Sequence, residues 1–560
     1  MLKKNLWVLI CLAAGQLSFS EERVISLGKM EPFWRYSAAL GPFHEVGQAL
    51  ETIPDYICGG AFPYAKRNTG KEIPFCDHIS MVRILGGFND AKDPSIREHD
   101  LAWRDDEGNI QYRMDLLAPR LRPYLDAGYT DFTIVLDNVP WCLPKVPKAV
   151  GLGQYMPPEN VEEWHGLVKA LCEELVEILG FETANRLRFR IGTENNQINR
   201  FGGTQEEYIR HYDAAAAAVK SILPDAKFGA FNLAGANVAA FQKGGVYNVD
   251  LLELADHCVN GTNTWNGGQG VPFDWVAFSR YHRVDTDPAA NARGCEEVWN
   301  EFEKRFPQLE GVSREIHEFD IAPWGETGKG DAFVSEEYGA LGAAVTAQVM
   351  FRLRQAGIDK LWHWEMTDAF RERSSKLRKL FTGHAWLLCV LEHTLGSETF
   401  LLEPEVPSAQ GLNALALAAV GTEDLIFVIS AYQPEEGIKS TPEEISFRLP
   451  DSFRGVSELR FVSLNNTTAA HDTIRAQLSE NGLLKQTFVK RPTRTGSVRE
   501  MGEGRAAEEF IGDRLPLYEK MWIDSMTLRP LPEEKGRLSR TGLTIEVTPP
   551  EVLVIRAKFN

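Results

Sequence analysis

Long apolar segments and an excess of positive charge are both missing from this chain of 560 residues. Beyond the N-terminus, no segment reaches the roughly 18 apolar residues that a membrane-spanning helix requires. Lysine and arginine together number 60 and aspartate and glutamate 78, which gives a formal net charge of −18. Binding to nucleic-acid phosphates requires clustered cations. The sequence therefore predicts no membrane span and no nucleic-acid partner.

Cysteine is scarce as well, and the eight cysteines show no zinc-binding spacing. One of them lies in the N-terminal apolar segment, so an odd number remains and at least one is unpaired within the chain. Cys58 with Cys76, or Cys258 with Cys295, could form disulfides in an oxidising compartment, and the sequence leaves the connectivity open. No metal site and no cofactor is predicted.

The first twenty residues have the features of a secretory signal peptide. Lys3 and Lys4 form a basic start, Leu6 to Ala14 an apolar core, and Ser18-Phe19-Ser20 a cleavage site with small residues. The apolar core is too short to cross a bilayer. We therefore expect a signal peptide at 1–20 and a secreted or periplasmic mature protein.

The rest of the chain shows two successive patterns. From about residue 31 to 395, eight short strand-like segments alternate with amphipathic helices, which is typical of repeated βαβ units. Beyond residue 396, short alternating segments are separated by turn residues, as in antiparallel sheets. The predicted fold class is therefore α/β, with a (β/α)8 TIM barrel over 21–395 followed by a C-terminal antiparallel β-sandwich over 396–560.

Several local patterns predict element boundaries. The first barrel strand is expected over Glu31 to Ser37 and the fifth over Lys227 to Phe231. A helix is predicted over Met114 to Ala127, and Thr204 with Glu207 is a capping-box pair that opens another. The charged, glycine-containing stretch from Lys490 to Glu509 is predicted to be a long surface loop.

Two glutamates follow predicted barrel strands. Glu194 ends the segment Arg190-Ile-Gly-Thr-Glu194, and Glu318 lies within Arg314-Glu-Ile-His-Glu318-Phe-Asp320. About three βα repeats separate them, and barrel chemistry occurs where the strands end. Two carboxylates on different strand ends are the minimal machinery of a glycoside hydrolase. We predict Glu194 as the acid/base and Glu318 as the nucleophile.

Further polar and aromatic side chains are predicted at the same end of the barrel. Tyr281 would hydrogen-bond the nucleophile, Trp364 would stack on the sugar ring, and Arg83 would brace a carboxylate. The remaining candidate substrate contacts, which include two possible aromatic platforms, are Trp141, Trp324, Thr193, Asn196, His282 and Glu365.

Each candidate also has a purely structural interpretation. Either glutamate alone could be a solvated loop residue or a helix cap, and Tyr281 could be a packing residue. Arg83 could be a structural ion-pair partner, and His282 a hydrogen-bonded polar neighbour. Glu365 is a third carboxylate near the predicted site and competes for the catalytic assignments. The catalytic interpretation rests on the pair within an eight-strand pattern.

From about Phe33 to the C-terminus, the chain resembles glycoside hydrolase family 39, which includes β-xylosidases and α-L-iduronidases of clan A. The similarity is carried by Met81-Val-Arg83 and by the segments LDNVPW, EEWHGLVKALCEEL, DWVAFSRYH, IHEFDIAP and LWHWEMTD. The resemblance implies a barrel with a C-terminal β-sandwich packed against it. It also implies an acid/base at Glu194, a nucleophile at Glu318 and supporting roles for Arg83, Tyr281 and Trp364.

The sequence departs from the family pattern at the acid/base. The family usually has Trp-Asn-Glu-Pro-Asn there, whereas this chain has Gly192-Thr193-Glu194-Asn195-Asn196. The replaced asparagine normally contacts the sugar 2-hydroxyl, and Thr193 is shorter. Histidines that the family places near the second and sixth strand ends are replaced by Leu85 and Ser279. Both carboxylates remain, so the departures concern which sugar is bound.

Three hypotheses follow from these residues. The first is a secreted retaining glycosidase acting on a poly- or oligosaccharide, so that the predicted partner is a carbohydrate. The second is a non-catalytic carbohydrate-binding protein on a degenerate barrel, which the replaced asparagine and histidines motivate. The third is metal-assisted hydrolysis by a polar cluster of His317, Asp320, His363 and Glu365. The sugar, the linkage, exo or endo action and the oligomeric state stay open.

Overall fold

The computed structural model describes residues 23–39, 78–90, 93–126, 129, 131–150, 153–234, 248–322, 339–364, 382–435, 438, 441–450, 453, 456–491, 494–502 and 504–559. The predicted signal peptide lies outside these residues, as do Cys58 and Cys76. Within the described ranges, none of the helices combines the length and apolar character needed to cross a membrane.

One parallel sheet occupies the first two thirds of the chain. Its strands are β1 (Trp34–Ala39), β2 (His78–Val82), β3 (Asp131–Leu136), β4 (Arg188–Ile191), β5a (Lys227–Gly229), β5b (Leu233–Ala234), β6 (Trp275–Arg283), β7 (Ser313–Ala322) and β8 (Lys360–Trp364). The pairing runs from β5a through β4, β3, β2, β1, β8, β7 and β6 to β5b. β5a and β5b, at the two ends of this pairing order, belong to one short stretch of chain. The sheet therefore begins and ends in the same part of the sequence. This is the strand order of a (β/α)8 barrel.

The helices of this part connect the strands. They are α1 (Leu117–Asp126), α2 (Val161–Leu179), α3 (Phe181–Ala184), α4 (Gln205–Ile222), α5 (Leu251–Asn260), α6 (Pro288–Arg305), α7 (Ala340–Gln355) and α8 (Gly383–Glu392). The predicted capping box is confirmed, since Thr204 Oγ1 accepts from the Glu207 amide and the Glu207 carboxylate accepts from the Thr204 amide. The helix predicted from Met114 begins as a 3-10 turn and becomes α-helical at Leu117.

The connecting segments add further short elements. Two antiparallel hairpins and two more 3-10 turns lie between the main strands and helices: Ala102–Arg104 with Ile110–Tyr112, Ala149–Val150 with Gly153–Gln154, Pro94–His99 and Pro307–Leu309. The first hairpin contacts α2, because Arg104 donates to the Glu163 carboxylate. The two hairpins and the turn Pro94–His99 extend the loops that follow β2 and β3, whereas Pro307–Leu309 lies between α6 and β7.

The barrel interior contains a buried ionic cluster near the amino ends of the strands. Arg188 Nη2 donates to both oxygens of Glu315, at 2.8 and 2.6 Å, and His317 Nε2 lies 2.6 Å from Glu315 Oε2. Burial alone would raise the pKa of Glu315, but Arg188 and His317 hold it below its usual range. The same burial lowers the pKa of His317 to about 3, so the imidazole is neutral.

The C-terminal strands form three further antiparallel sheets, of seven, three and two strands, and the two-stranded one pairs Leu484–Arg491 with Arg494–Gly502. The strands are β9 (Glu398–Leu402), β10 (Asn413–Val420), β11 (Asp424–Tyr432), β12 (Glu443–Arg448), β13 (Val456–Asn465), β14 (Leu484–Arg491), β15 (Arg494–Gly502), β16 (Arg529–Pro530), β17 (Gly536–Leu538), β18 (Gly542–Val547) and β19 (Glu551–Phe559). A seven-stranded sheet has the order Val24–Lys29, β9, β10, β11, β19, β13, β16, and a three-stranded sheet has the order β12, β18, β17. Phe427 and Ile429 of the larger sheet share an apolar core with Phe447 and Ile545 of the smaller one.

Three features of this region differ from the sequence prediction. The strand Val24–Lys29 pairs with β9, so the start of the predicted barrel range belongs to the C-terminal sheet. The stretch predicted as a surface loop from Lys490 instead contains the hairpin β14–β15 and a helix. The helices of this region, which an all-β prediction did not include, are α9 (Ala470–Glu480), α10 (Gly504–Gly512) and α11 (Leu515–Met526).

The larger C-terminal sheet packs against the barrel through α7. Gln348 Nε2 donates to the carbonyl oxygens of Asn413 and Ser430, and Ser430 Oγ donates to the Ala344 carbonyl at 2.7 Å. The apolar residues of the barrel and of this sheet face form one continuous core. α7 is buried around its circumference because it lies between the two.

Candidate active site

Backbone strain is concentrated at the carboxyl ends of three neighbouring strands. Four non-glycine residues in the described structure have a left-handed φ, and three of them are Arg83 (64°), Asn138 (52°) and Glu194 (51°). These three follow β2, β3 and β4. Left-handed φ is unfavourable for residues with a Cβ and accumulates at functional sites. The strain therefore indicates the same end of the barrel as the predicted carboxylates.

A tight turn after β4 presents Glu194. Gly192 has a φ of 78°, and a Cβ at this position would lie 2.2 Å from the amide nitrogen of the Asn195 side chain. That side chain folds back so that its Oδ1 accepts from the Thr193 amide at 2.8 Å. The absence of a Cβ at Gly192 thus gives the Asn195 side chain the space that it occupies.

The Glu194 carboxylate has two side-chain donors. Its Oε2 accepts from Gln197 Nε2 at 3.1 Å and from Arg200 Nη2 at 3.2 Å. All three residues come from the loop that follows β4, and Glu194 and Arg200 are both partly exposed. Arg200 and Gln197 thus hold one oxygen of the Glu194 carboxylate.

A β-bulge in β7 directs Glu318 into the site. Phe278 of β6 pairs with Ile316, and the next residue, Ser279, pairs with Glu318, so His317 is an extra residue. Strict alternation would place Glu318 on the face opposite to His317, whereas a bulge re-aims the side chain that follows it. Glu318 is 4% exposed, and its Oε2 accepts from the Tyr281 hydroxyl at 3.2 Å.

The two glutamates influence each other electrostatically. Burial, together with the negative charge of Glu194, raises the pKa of Glu318 to about 7, and Arg200 and Arg190 oppose this rise. Burial and the carboxylates of Glu318, Asp320 and Glu194 raise the pKa of Tyr281, so its hydroxyl stays protonated and donates. The carboxylates at the ends of β4 and β7 therefore belong to one site.

A second buried network lies beside the carboxylates. Thr193 Oγ1 donates to Asp137 Oδ2 at 3.0 Å and accepts from Arg190 Nη2 at 2.9 Å, and the Arg83 amide donates to Asp137 Oδ1 at 2.7 Å. Burial raises the pKa of Asp137, and the positive charges of Arg190 and Arg83 oppose this. The single proton of the Thr193 hydroxyl is thus donated within the protein, to Asp137.

A family match decides the classification. Residues 26–385, well over half of the chain, match the sequence model described as glycosyl hydrolases family 39. The chain belongs to glycosyl hydrolase family 39. The resemblance found in the sequence is thereby confirmed.

Curated relatives carry two different activities in their names. The α-1,4-L-rhamnosidase of Formosa agariphila is 23% identical over 212 residues, which is 36% of this chain and 40% of the relative. A β-xylosidase of Geobacillus stearothermophilus is 24% identical over 353 residues, 58% of this chain and 63% of the relative. Each match covers less than two thirds of the relative's own length.

Solved family 39 structures share the architecture of this chain. A monomeric β-xylosidase from Caulobacter crescentus CB15 superposes with a TM-score of 0.61 at 14% identity, covering 96% of this chain and 98% of the other. A bacterial orthologue of human α-L-iduronidase also gives a TM-score of 0.61, at 13% identity, covering 96% of this chain and 82% of the other. At these identities the similarity concerns the fold: a TIM barrel followed by a C-terminal sheet region.

The structure does not bring every predicted site residue together. Trp141 Nε1 donates to the Phe88 carbonyl, and the Arg97 guanidinium lies 4.5 Å from the centre of the indole ring. Asn196 is fully buried and bonds the β5b backbone through the Ala234 amide. Trp364 ends β8, and its side chain, like the whole of Trp324 and Glu365, lies outside the described part of the chain.

His282 points away from the glutamates. Asn291 of α6 accepts from Arg280 Nε through its Oδ1, and its amide nitrogen lies 2.7 Å from His282 Nδ1. Arg280 and His282 therefore face the helical layer, whereas Tyr281 between them faces Glu318. The predicted substrate contact of His282 is not supported, because alternation along β6 places it on the outer face.

The described residues bear on two other expectations from the sequence, although Glu365 of the polar cluster lies outside them. Cys258 and Cys295 are buried free thiols, so the disulfide considered between them is wrong. No group of three or more potential ligands in the described ranges is arranged to hold a metal ion. His317 instead pairs with Glu315, and His363 Nε2 lies 3.6 Å from Asp320 Oδ1.

Sequence reasoning missed three residues next to the carboxylates. The candidates predicted from the sequence do not include Arg200, Arg190 or Asn232. Asn232 directly follows the predicted fifth strand, so the strand-end rule applied to Glu194 also applies to it. Arg190 is only 1% exposed. Parallel barrel strands are buried on both faces, so an arginine within such a strand is a candidate for the interior.

Proposed function

We propose that this family 39 chain is a retaining glycoside hydrolase in which Glu318 is the nucleophile and Glu194 the acid/base. The observation that supports it most directly is the electrostatic coupling of two carboxylates from the ends of β4 and β7, with Tyr281 donating to one of them. Glycosidases use two carboxyl groups that flank the cleaved bond, and in the retaining mechanism one of them attacks as the nucleophile.

The first chemical step forms a glycosyl-enzyme. A Glu318 oxygen attacks the anomeric carbon, and the bond from that carbon to the leaving oxygen breaks while Glu194 transfers its proton to the leaving oxygen. In the second step Glu194 takes a proton from water, the water oxygen bonds to the anomeric carbon, and the ester bond to Glu318 breaks. The net reaction consumes one water and restores both glutamates.

The surroundings of the pair support this division of roles. The Tyr281 hydroxyl stabilises negative charge on Glu318 Oε2, which is the charge present before attack and after release. Tyr281 as a residue is 43% exposed even though its hydroxyl reaches the buried carboxylate, so it is available to contact a sugar ring. Arg200 approaches Glu194, which becomes negative when it has given up its proton.

The proposed substrate is an O-glycoside of a poly- or oligosaccharide outside the cytoplasm. Export is inferred from the basic and apolar pattern of residues 1–20. The relatives are named for xylosides and α-1,4-L-rhamnosides, and the structural neighbours for xylosides and iduronides. Aryl xylosides, rhamnosides and iduronides are accordingly the first substrates to test.

Azide tests the roles of the two glutamates. On a responsive aryl glycoside, Glu318→Gly and Glu194→Gly are each expected to abolish ordinary turnover. Azide should enter the space left by the missing carboxylate, giving a glycosyl azide of inverted configuration with Glu318→Gly and of retained configuration with Glu194→Gly. The opposite products would exchange the two roles, and full turnover by Glu318→Gly without azide would overturn the proposal.

A further inference from the structure

Asn232 lies next to the proposed nucleophile and contacts a different carboxylate oxygen from Tyr281. It occupies the three-residue interval between β5a and β5b, where the fifth strand stops pairing with β4 and begins to pair with β6. The side chain is fully buried. Its Nδ2 lies 3.5 Å from Glu318 Oε1, whereas the Tyr281 hydroxyl reaches Oε2. Donors therefore approach the two carboxylate oxygens from two different strands.

Ser279 contacts the Asn232 amide. Asn232 Nδ2 donates to Ser279 Oγ at 2.6 Å, and Ser279 is the register partner of Glu318 across β6 and β7. The short serine side chain leaves space for the amide beside the carboxylate. Because Nδ2 makes both contacts, the flipped amide would direct its oxygen at Glu318 and be repelled by the ionised form.

The position of the Asn232 amide is unfavourable for the stability of the folded protein. Asn232 Oδ1 is buried and has no hydrogen-bond partner among the described residues. An unsatisfied buried acceptor is destabilising, and in native proteins such groups require an explanation. A polar side chain that is retained under these conditions, with its donor aimed at a reacting carboxylate, has a role other than packing.

We propose that Asn232, oriented by Ser279, is a positioning residue that holds Glu318 for attack and favours its ionised form. This inference rests on the proposed role of Glu318 as the nucleophile. A hydrogen bond to an ionised carboxylate stabilises that form. The 3.5 Å separation shortens when Glu318 is ionised in the substrate complex, as catalytic hydrogen bonds in unliganded enzymes often do.

The proposal predicts different kinetic effects for two substitutions. Asn232→Ala removes the donor, so kcat should fall about tenfold or more with little change in KM, since a misplaced nucleophile affects the transition state. Asn232→Asp places a carboxylate beside Glu318. The acid limb of its kcat/KM profile should move to higher pH by about one unit or more. Ser279→Ala should also lower kcat and move the acid limb of the kcat/KM profile to higher pH, in each case by a smaller amount.

Asn185→Ala is the matched control. Its amide is also buried and makes two hydrogen bonds, but with Asp225 at the amino ends of the strands. It should leave the pH profile unchanged, and circular dichroism would verify the folding of every variant. Asn232 variants with wild-type pH profiles and no more loss of kcat than Asn185→Ala would overturn the positioning role. An active Glu318→Gly enzyme would instead overturn the proposed function.

Discussion

The two catalytic candidates differ in the groups that surround their carboxylates. Glu194 lies beside Arg200 and Gln197, whereas Glu318 is buried and has a pKa raised to about 7. The proposed mechanism requires an ionised Glu318 for attack, whereas burial favours a proton on this group. Donors to the Glu318 carboxylate are therefore needed to favour its ionised form.

Arg200 is expected to control the acid limb of the pH–rate profile. Its positive charge opposes the rise of the Glu318 pKa to about 7, so Arg200→Gln should raise that pKa further. Glu318 attacks only when ionised, so kcat/KM falls as the pH decreases through its pKa. The acid limb of the variant should therefore lie at higher pH, by up to about one unit, in kcat/KM measured from about pH 5 to 9.

Arg210→Gln provides the control for this shift. Arg210 pairs with Glu206 on the surface of α4 at 2.7 Å. Its replacement by glutamine removes the same charge as Arg200→Gln, but at a site that is not next to Glu318. Its acid limb should coincide with that of the unmodified enzyme. An Arg200→Gln profile that is unmoved, or that moves to lower pH, would contradict the assignment of Arg200.

Among the elements, regular strands and helices could be predicted, whereas their irregularities could not. The strand that ends at Trp364 and the capping box of α4 follow directly from local sequence. The bulge at His317 depends on pairing with β6 and β8, which a single segment does not contain. Without it, Glu318 would face the helices, so the position of the nucleophile is a tertiary property.

Gly192→Ala tests how tightly the turn after β4 is built. The new Cβ would combine a left-handed φ, which is unfavourable by about 1–2 kcal/mol, with a collision against Asn195. The collision should add about 1–3 kcal/mol of overpacking and displace Glu194. We expect a lower free energy of unfolding in urea and a fall in kcat of more than about tenfold.

Gly482→Ala separates these two effects. Gly482 also has a left-handed φ, of 67°, but no atom lies within 4 Å of the position that its Cβ would take. This variant should lose only the conformational part of the stability and should keep full activity. Equal losses of stability in the two variants, with activity unaffected by Gly192→Ala, would show that the contact with Asn195 is unimportant.

For the whole molecule, the alternation of strands and helices predicted the barrel order, but a linear division of the chain could not predict the pairing of its N-terminus. Val24–Lys29 pairs with β9, which lies more than 350 residues later. The core is also continuous from the barrel to the larger C-terminal sheet. Because the boundary between the two parts is apolar, we expect them to unfold together, as one cooperative unit.

Ser430→Ala tests this coupling at the contact with α7. The substitution removes the hydroxyl that donates to Ala344 and accepts from Gln348, which should lower the free energy of unfolding by about 1–3 kcal/mol. Calorimetry and aromatic circular dichroism should show one transition at a lower Tm. Ser446→Ala, which removes a partly buried hydroxyl that contacts Thr544 in the smaller sheet, should have a smaller effect. The contrary result would be two transitions, of which Ser430→Ala moves only one. The contacts made by Val24–Lys29 and α7 would then be too weak to make the barrel and the C-terminal sheets one folding unit.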